Sequence, residues 1–400
     1  MSNTSLSLGN LRAFAIVLVV GFHATLAYVV FKPEPLPLAT PPYAWKAFPI
    51  SDPTQWFGLD VLCAFPYVTL MQLMFFLSGL FVWPSLRRKG TATFVLDRLW
   101  RLGVPFILGV AVLMPVAHYP VYAVSALNPT WPDFWNQWLS VPFWHSGPLW
   151  FLWVLVAFDL AAAALYRFAP AIGERLAAYA ARAADAPGRS FIVFAAAAAL
   201  AYLPFAAFFR PWDWAQLGPF SFQPSLFAHY AVFFFAGLGI GAGGLETGLL
   251  RSDGVLARRW AMWTSVAAVS FVAWMLLTAV TLDDKPLGIG PLPQLNVVVN
   301  LVFALTAAAT CFAFAGIFLR FATRRWAVAD ELSKNAYTIY LFHYLFVVWL
   351  QYALLALMLP AVVKAVIAFA AALLLSWAAS VAAQRLLGHA RKFGAALRPS

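Results

Sequence analysis

The stretch LRAFAIVLVVGFHATLAYVVF, residues 11–31, decides the fold. As a helix it is long enough to cross a hydrocarbon core of about 30 Å, yet it carries Arg12 at its start and His23 in its middle. A charged group and a titratable ring on such a helix are costly and need a reason. At about 100° per residue, the eleven steps between them close roughly three turns, so both lie on one face, about 16 Å apart along the axis. With the helix starting at the cytoplasmic surface, Arg12 sits at headgroup level and His23 near the bilayer middle, facing the same groove. Neutral imidazole accepts a proton near pH 7, which makes His23 the candidate general base and Arg12 the charged partner at the groove's mouth. A packed side chain that links helices is the alternative reading of a lone membrane histidine.

Working outward, the rest of the chain has the same character. Of 400 residues 63% are hydrophobic and 10% charged, with a mean hydropathy of +0.80, which is too apolar for a soluble domain of this length. Apolar runs of spanning length fall near 11–31, 66–84, 101–118, 148–168, 190–209, 226–245, 260–281, 295–318, 335–358 and 361–384. The expected fold is therefore all-α: a polytopic membrane protein of about ten helices, one integral-membrane domain over 1–400 with no separate soluble domain. Threading those helices with the N-terminus inside leaves only Lys32, Lys46, Arg210, Lys285 and Lys364 of the 26 Lys and Arg residues outside. That asymmetry puts both termini in the cytoplasm. The net charge of +11 is spread over short clusters between apolar runs, so nucleic-acid binding is excluded as a reading. Cys63, expected in a loop, and Cys311, in an apolar run, have neither metal-ligand spacing nor a disulfide framework, and no metal is expected. The first ten residues lack Lys and Arg, so the first run reads as a retained helix rather than a leader.

The loops on the outer side are rich in proline and aromatics. Residues 32–65 hold Pro33, Pro35, Pro37, Pro41, Pro42, Pro49 and Pro53 with Tyr43, Trp45 and Trp56; residues 119–147 hold Trp131, Trp135, Trp138 and Trp144. Such aromatics form an interfacial belt or, since flat apolar rings also stack on pyranose faces, a sugar-binding rim.

Several further residues carry potential chemistry. The second run ends FFLSG, residues 75–79, where Ser78 and Gly79 let either a ligand or another helix approach closely. In RLWRLGVP, residues 98–105, Arg98 and Arg101 share a helix face at i, i+3, near the level of Arg12. Guanidinium forks of this kind suit phosphate, although arginines there also simply set topology. Asp159, deep in the fourth run, requires a partner, as a structural ion pair or a functional acid. Tyr340 and His343 share a face of the ninth run. His118, His229 and His389 fall at or near expected helix ends, and the glycines Gly237, Gly239, Gly241, Gly243 and Gly244 give some support to a transport pathway.

Taken in order, Leu11-Arg12 with His23, FFLSG, RLWRLGVP, LWFL at 149–152 and YLFH at 340–343 resemble acyltransferase family 3, bacterial ten-helix membrane enzymes, over nearly the whole chain. The proline-rich first outer loop and GPLW at 147–150 are more similar to the branch containing glucan biosynthesis protein C. The resemblance implies a multi-pass protein of the bacterial inner membrane. Its implied reaction moves an acyl group of the acetyl or succinyl class from cytoplasmic acyl-CoA to a hydroxyl of an envelope carbohydrate or glycan. It also implies catalytic roles for Arg12 and His23. Donor binding would fall to Arg12, Arg98, Arg101, Ser78 and Gly79, and substrate binding to Trp150, Asp159, Tyr340 and His343. No permanently bound cofactor is expected, acyl-CoA being a substrate, and the partners are that donor, the glycan and the bilayer, with a homo-oligomer left open. Leu80 and Pro148 depart from the family's usual residues. Whether His23 acts as a base or as an acyl-accepting nucleophile stays open, as does a transporter or flippase using the same groove.

Overall fold

The computed structural model describes residues 3–32, 50–141, 144–183, 185–281 and 292–396, with side chains in the last helix as far as Leu386. The prolines Pro33 to Pro49 with Tyr43, Trp45 and Lys46 lie outside the described residues, as do Lys285 and the side chain of His389. Among the described residues ten helices are long and apolar enough to cross a membrane: Asn3–Tyr28, Phe57–Lys89, Thr91–Ser125, Gly147–Phe168, Pro187–Ala206, Pro224–Gly243, Trp260–Thr281, Asn296–Phe321, Ala327–Leu354 and Ala361–Leu386. The protein is thus an all-α polytopic membrane protein; its described sheet is one two-stranded hairpin, Ala215–Leu217 with Phe220–Phe222.

Several spans are longer than their apolar runs, the second and third most of all. The second starts at Phe57, so Cys63 lies buried in a helix and not in a loop. The third begins at Thr91 and runs to Ser125, taking in Arg98, Arg101 and His118. Residues 131–140, expected as loop, form a further helix started by Thr130, whose hydroxyl accepts from the Asp133 amide. Trp138 on that helix is fully buried, which removes it from an interfacial belt, whereas Trp131 and Trp135 stay exposed.

The chain resolves into two compact units. One comprises Met1–Ala15, Ala64–Ile107 and Trp150–Arg325. Within it, helices Phe57–Gly79 and Pro224–Gly243 cross at backbone contact. A Cβ on Gly79 would lie 2.0 Å from the Phe234 carbonyl oxygen, and one on Gly237 2.1 Å from that of Phe76. Small residues allow this because helices in lipid associate through close packing rather than through hydrophobicity. The glycines of the sixth span are therefore packing residues in an unbroken helix, which removes the support they lent to a transport pathway.

The other unit comprises Ile16–Cys63, Leu108–Leu149 and Trp326–Ser400. Helix Ala327–Leu354 packs along helix Ala361–Ala396, held by a buried amide: Asn335 Oδ1 accepts from Ser380 Oγ at 2.7 Å and Gln384 Nε2 at 2.8 Å. Lys364 and Asp52, both essentially inaccessible, pair at 2.8 Å. The carboxylate of Asp60 accepts from the backbone amides of Val30 and Phe31, each at 2.9 Å, fastening the end of the first span to the start of the second.

Candidate functional site

Helix Asn3–Thr25 is unbroken from Arg12 to His23, so the two keep the axial separation of about 16 Å that eleven residues dictate. A helix leaves its last four carbonyls without intrahelical partners, and hydrocarbon offers no water to take them. Here side chains do. Gln351 Nε2 donates to the carbonyls of His23 at 2.8 Å and Ala24 at 3.1 Å, and Lys32 Nζ donates to that of Ala27 at 2.7 Å. The backbone that carries His23 is thereby held by the ninth span.

The ring of His23 is held as well. Its Nδ1 stands 2.9 Å from the Val19 carbonyl, one turn back, and 3.3 Å from Nε2 of His343. The Nδ1 of His343 faces the Tyr340 carbonyl at 2.6 Å. A carbonyl only accepts, so each Nδ1 carries a hydrogen, and His343 Nε2 presents a lone pair toward the His23 Nδ1–H. One assignment of hydrogens satisfies every contact: both rings neutral, with the lone pair of His23 on Nε2. Tyr340 Oη donates to the Pro148 carbonyl, and Tyr344 meets the His23 ring edge-on at 5.7 Å. His343, Tyr344 and Gln351 therefore fix the histidine from one helix, Tyr344 and Gln351 about two turns apart along a single stripe.

The same unit contains His118 and His145, both buried, their rings nearly parallel at 15° with centroids 5.3 Å apart. His118 lies mid-helix, not at a helix end, donates from Nδ1 to the Met114 carbonyl at 2.8 Å, and approaches Tyr344 at 6.2 Å. Four histidines thus converge in this unit.

The other unit holds the remaining candidates. Arg12 is exposed, with its guanidinium 5.5 Å from the centroid of Phe81. Arg98 and Arg101 do not share a face, because residues Leu99–Gly103 form a π-helical turn that widens the angle between them. Arg98 turns inward to a 3.3 Å ion pair with buried Asp159 and lies over Phe94, while Arg101 is exposed and pairs with Asp97 at 2.8 Å. Asp159 has its required partner in Arg98. Ser78 Oγ donates to the Met74 carbonyl, and Gly79 is filled by the crossing with Phe234. Trp150 packs among Phe75, Trp214 and Tyr230. His229, expected near a helix end, is buried within helix Pro224–Gly243 and donates to the Ala198 carbonyl at 3.0 Å.

Sequence reasoning missed Gln351 and Gln72, although a carboxamide in an apolar run was the available signal. Gln72 is wholly buried in the second span with neither Oε1 nor Nε2 hydrogen-bonded, at a cost of several kcal/mol in hydrocarbon. Among the described residues no three His, Cys, Asp or Glu groups are placed to hold a metal ion.

No curated protein and no solved structure matches the chain. The sequence model of the acyltransferase domain of acyltransferase family 3 does match, over residues 5–381, taking in all or most of each span and every candidate named above except His389. The helices, the buried histidines and that nearly complete match agree: the chain belongs to acyltransferase family 3 and is a multi-pass membrane acyltransferase.

Proposed function

We propose that this acyltransferase takes its acyl group from cytoplasmic acyl-CoA and passes it to a hydroxyl of an envelope carbohydrate, with His23 as general base. The observation that carries the reading is the pair of contacts at His23 Nδ1, which the neutral Nδ1–H tautomer satisfies. With Nδ1–H shared between the Val19 carbonyl and His343, the Nε2 lone pair is the one available to a substrate hydroxyl. His23 Nε2 takes the hydroxyl proton as the oxygen attacks the thioester carbonyl. The tetrahedral intermediate collapses, the C–S bond breaks, and the departing thiolate recovers the proton from Nε2. The products are an ester and the CoA thiol, with no net proton change. During attack the imidazolium charge is met by the Nδ1–H contacts, which become charge-assisted.

The length of the donor supports the placement. Twelve bonds separate the phosphate-ester oxygen from the sulfur of the pantetheine arm, about 14 Å when extended at roughly 1.2 Å per bond. The helical rise from Arg12 to His23 is about 16 Å. Phosphates at Arg12 therefore bring the thioester to the level of His23. In this reading Arg12 sits at the cytoplasmic face, as the positive-inside distribution requires, in a bacterial inner membrane. Arg101 adds exposed positive charge, and Arg98, through its pair with Asp159, secures the third span. Tyr340 and His343 act by orienting His23, and Trp150 through its aromatic packing.

The test is acceptor-dependent release of CoA by purified protein in proteoliposomes, supplied with acetyl-CoA or succinyl-CoA and a mixed glucan. Wild type releases CoA, His23→Ala binds CoA without releasing it, and Arg12→Ala raises the donor KM. Release by His23→Ala at the wild-type rate refutes the base assignment, and a trapped acyl-enzyme on His23 replaces it with nucleophilic catalysis.

A further inference from the structure

Hydrocarbon forces polar side chains to find partners, and the neighbours of Gln72 do so within their own helix. Thr69 Oγ1 donates to the Phe65 carbonyl and Ser78 Oγ to that of Met74, each at 2.8 Å. Other carboxamides are satisfied across helices, Asn335 by accepting from Ser380 and Gln384 and Gln351 by donating to His23. Among the described residues of the spans, Gln72 is the one carboxamide with both its donor and its acceptor ends bare, and its exposure is 0%. A carboxamide offers two N–H donors beside a carbonyl acceptor, a pattern that an amide-bearing ligand complements.

Its level along the helix narrows the ligand. Arg12 lies over Phe81, just past the end of helix Phe57–Gly79, and Gln72 is nine residues back from Phe81, about 13 Å along the helix. We propose that Gln72 binds the pantetheine arm of the donor. Its Nε2 donates to the carbonyl of the amide nearer the sulfur. This rests on the acyl-CoA reading, with the phosphates at Arg12. Counted from the phosphate-ester oxygen, the two amide nitrogens come at the fifth and ninth bonds, about 6 and 11 Å along an extended arm. The second falls within one helical turn of Gln72; the first falls more than a turn short. An acyl tail carries no carbonyl at that depth for Nε2, so the arrangement selects an amide arm over an acyl tail.

The experiment uses the full chain in nanodiscs with two unreactive probes, desulfo-CoA and its analogue in which the amide nearer the sulfur is a CH2–CH2 unit. Wild type, Gln72→Leu and Gln72→Met are compared by equilibrium binding, and their thermal midpoints are recorded. Wild type is expected to bind desulfo-CoA about tenfold more tightly than the analogue, the worth of one buried hydrogen bond. Both variants are expected to bring that ratio below about twofold, with thermal midpoints at or above wild type, because an unpaired amide has been replaced by an apolar group. A ratio unchanged in the variants overturns the proposal. So does loss of both probes together with a lowered midpoint in Leu and Met alike, which makes Gln72 a structural residue. Wild type that binds neither probe overturns the acyl-CoA reading itself, and this is seen before any variant is compared.

Discussion

Gln351→Leu separates the support of His23 from its chemistry. The substitution keeps the volume of a buried side chain and removes two hydrogen bonds, at 2.8 and 3.1 Å, to the carbonyls of His23 and Ala24. Interhelical hydrogen bonds in membrane proteins average about 0.6 kcal/mol and reach about 1.7, so the pair contributes about 1–3 kcal/mol, all of it spent on where one turn of the first span lies. With His23 as the base in the proposed function, that energy appears as misplacement of its ring, and kcat falls roughly 10–100-fold, the range expected for a shift of about 1 Å in a catalytic group. The donor KM stays within about twofold because the Arg12 end of the helix, some 16 Å away, is untouched. The assay is steady-state CoA release under saturating acceptor, run beside thermal unfolding. Ser380→Ala is the control, since it deletes a buried interhelical bond to Asn335 in the same unit and leaves the carbonyls of His23 and Ala24 alone. The expected pattern is a comparable loss of stability in both variants and a loss of kcat in Gln351→Leu only. Wild-type kcat in Gln351→Leu, or an equal fall in Ser380→Ala, refutes the argument.

Two further outcomes are expected. His343→Phe removes the lone pair that faces His23 Nδ1–H at 3.3 Å, and should lower kcat about tenfold with donor KM unchanged, while His343→Gln, which restores an acceptor, should recover part of the loss. For the ion pair sealed between Asp52 and Lys364, Lys364→Met alone leaves a buried carboxylate and should cost roughly 3–5 kcal/mol, whereas Lys364→Met with Asp52→Leu should return most of that stability, read as thermal midpoints in one detergent.

Much of the fold is legible because lipid imposes a simple rule, that about twenty apolar residues make a helix. The rule reports only the part of a helix in hydrocarbon. It is silent on extensions into the headgroup region, which is why the start at Phe57 and the run through Arg98 escaped it. Helix Trp131–Ser140 is amphipathic and packs Phe134 and Trp138 inward, so its pattern resembles a soluble helix more than a span. At the site, the face shared by Arg12 and His23 follows from periodicity alone, since nothing interrupts their helix. The same reasoning applied to Arg98 and Arg101 gives the wrong face, because a π-helical turn is a local change of period that residue types do not announce. His343 was a candidate from its spacing to Tyr340, but its contact with His23 spans 320 residues of sequence, and no periodicity encodes which helices meet.

The polar groups in the spans divide by how they are satisfied, and the division bears on where to look for function. Hydroxyls return to the carbonyl one turn back, as Thr306, Thr310 and Ser376 do, and thereby remove themselves from any chemistry. Amides and rings that bridge helices, such as Asn335, Gln351 and His343, set geometry and are spent on it. His23 belongs to both classes at once: Nδ1 is committed to Val19 and His343, and the opposite nitrogen keeps its lone pair. His229 shows the same division, with Nδ1 on the Ala198 carbonyl and Nε2 bare, so the pattern alone does not name a base. In the proposed function, the contacts of His23 Nδ1 set tautomer and direction, and Nε2 accepts the proton. The same accounting sets Gln72 apart among the carboxamides of the described spans, since both its ends are bare.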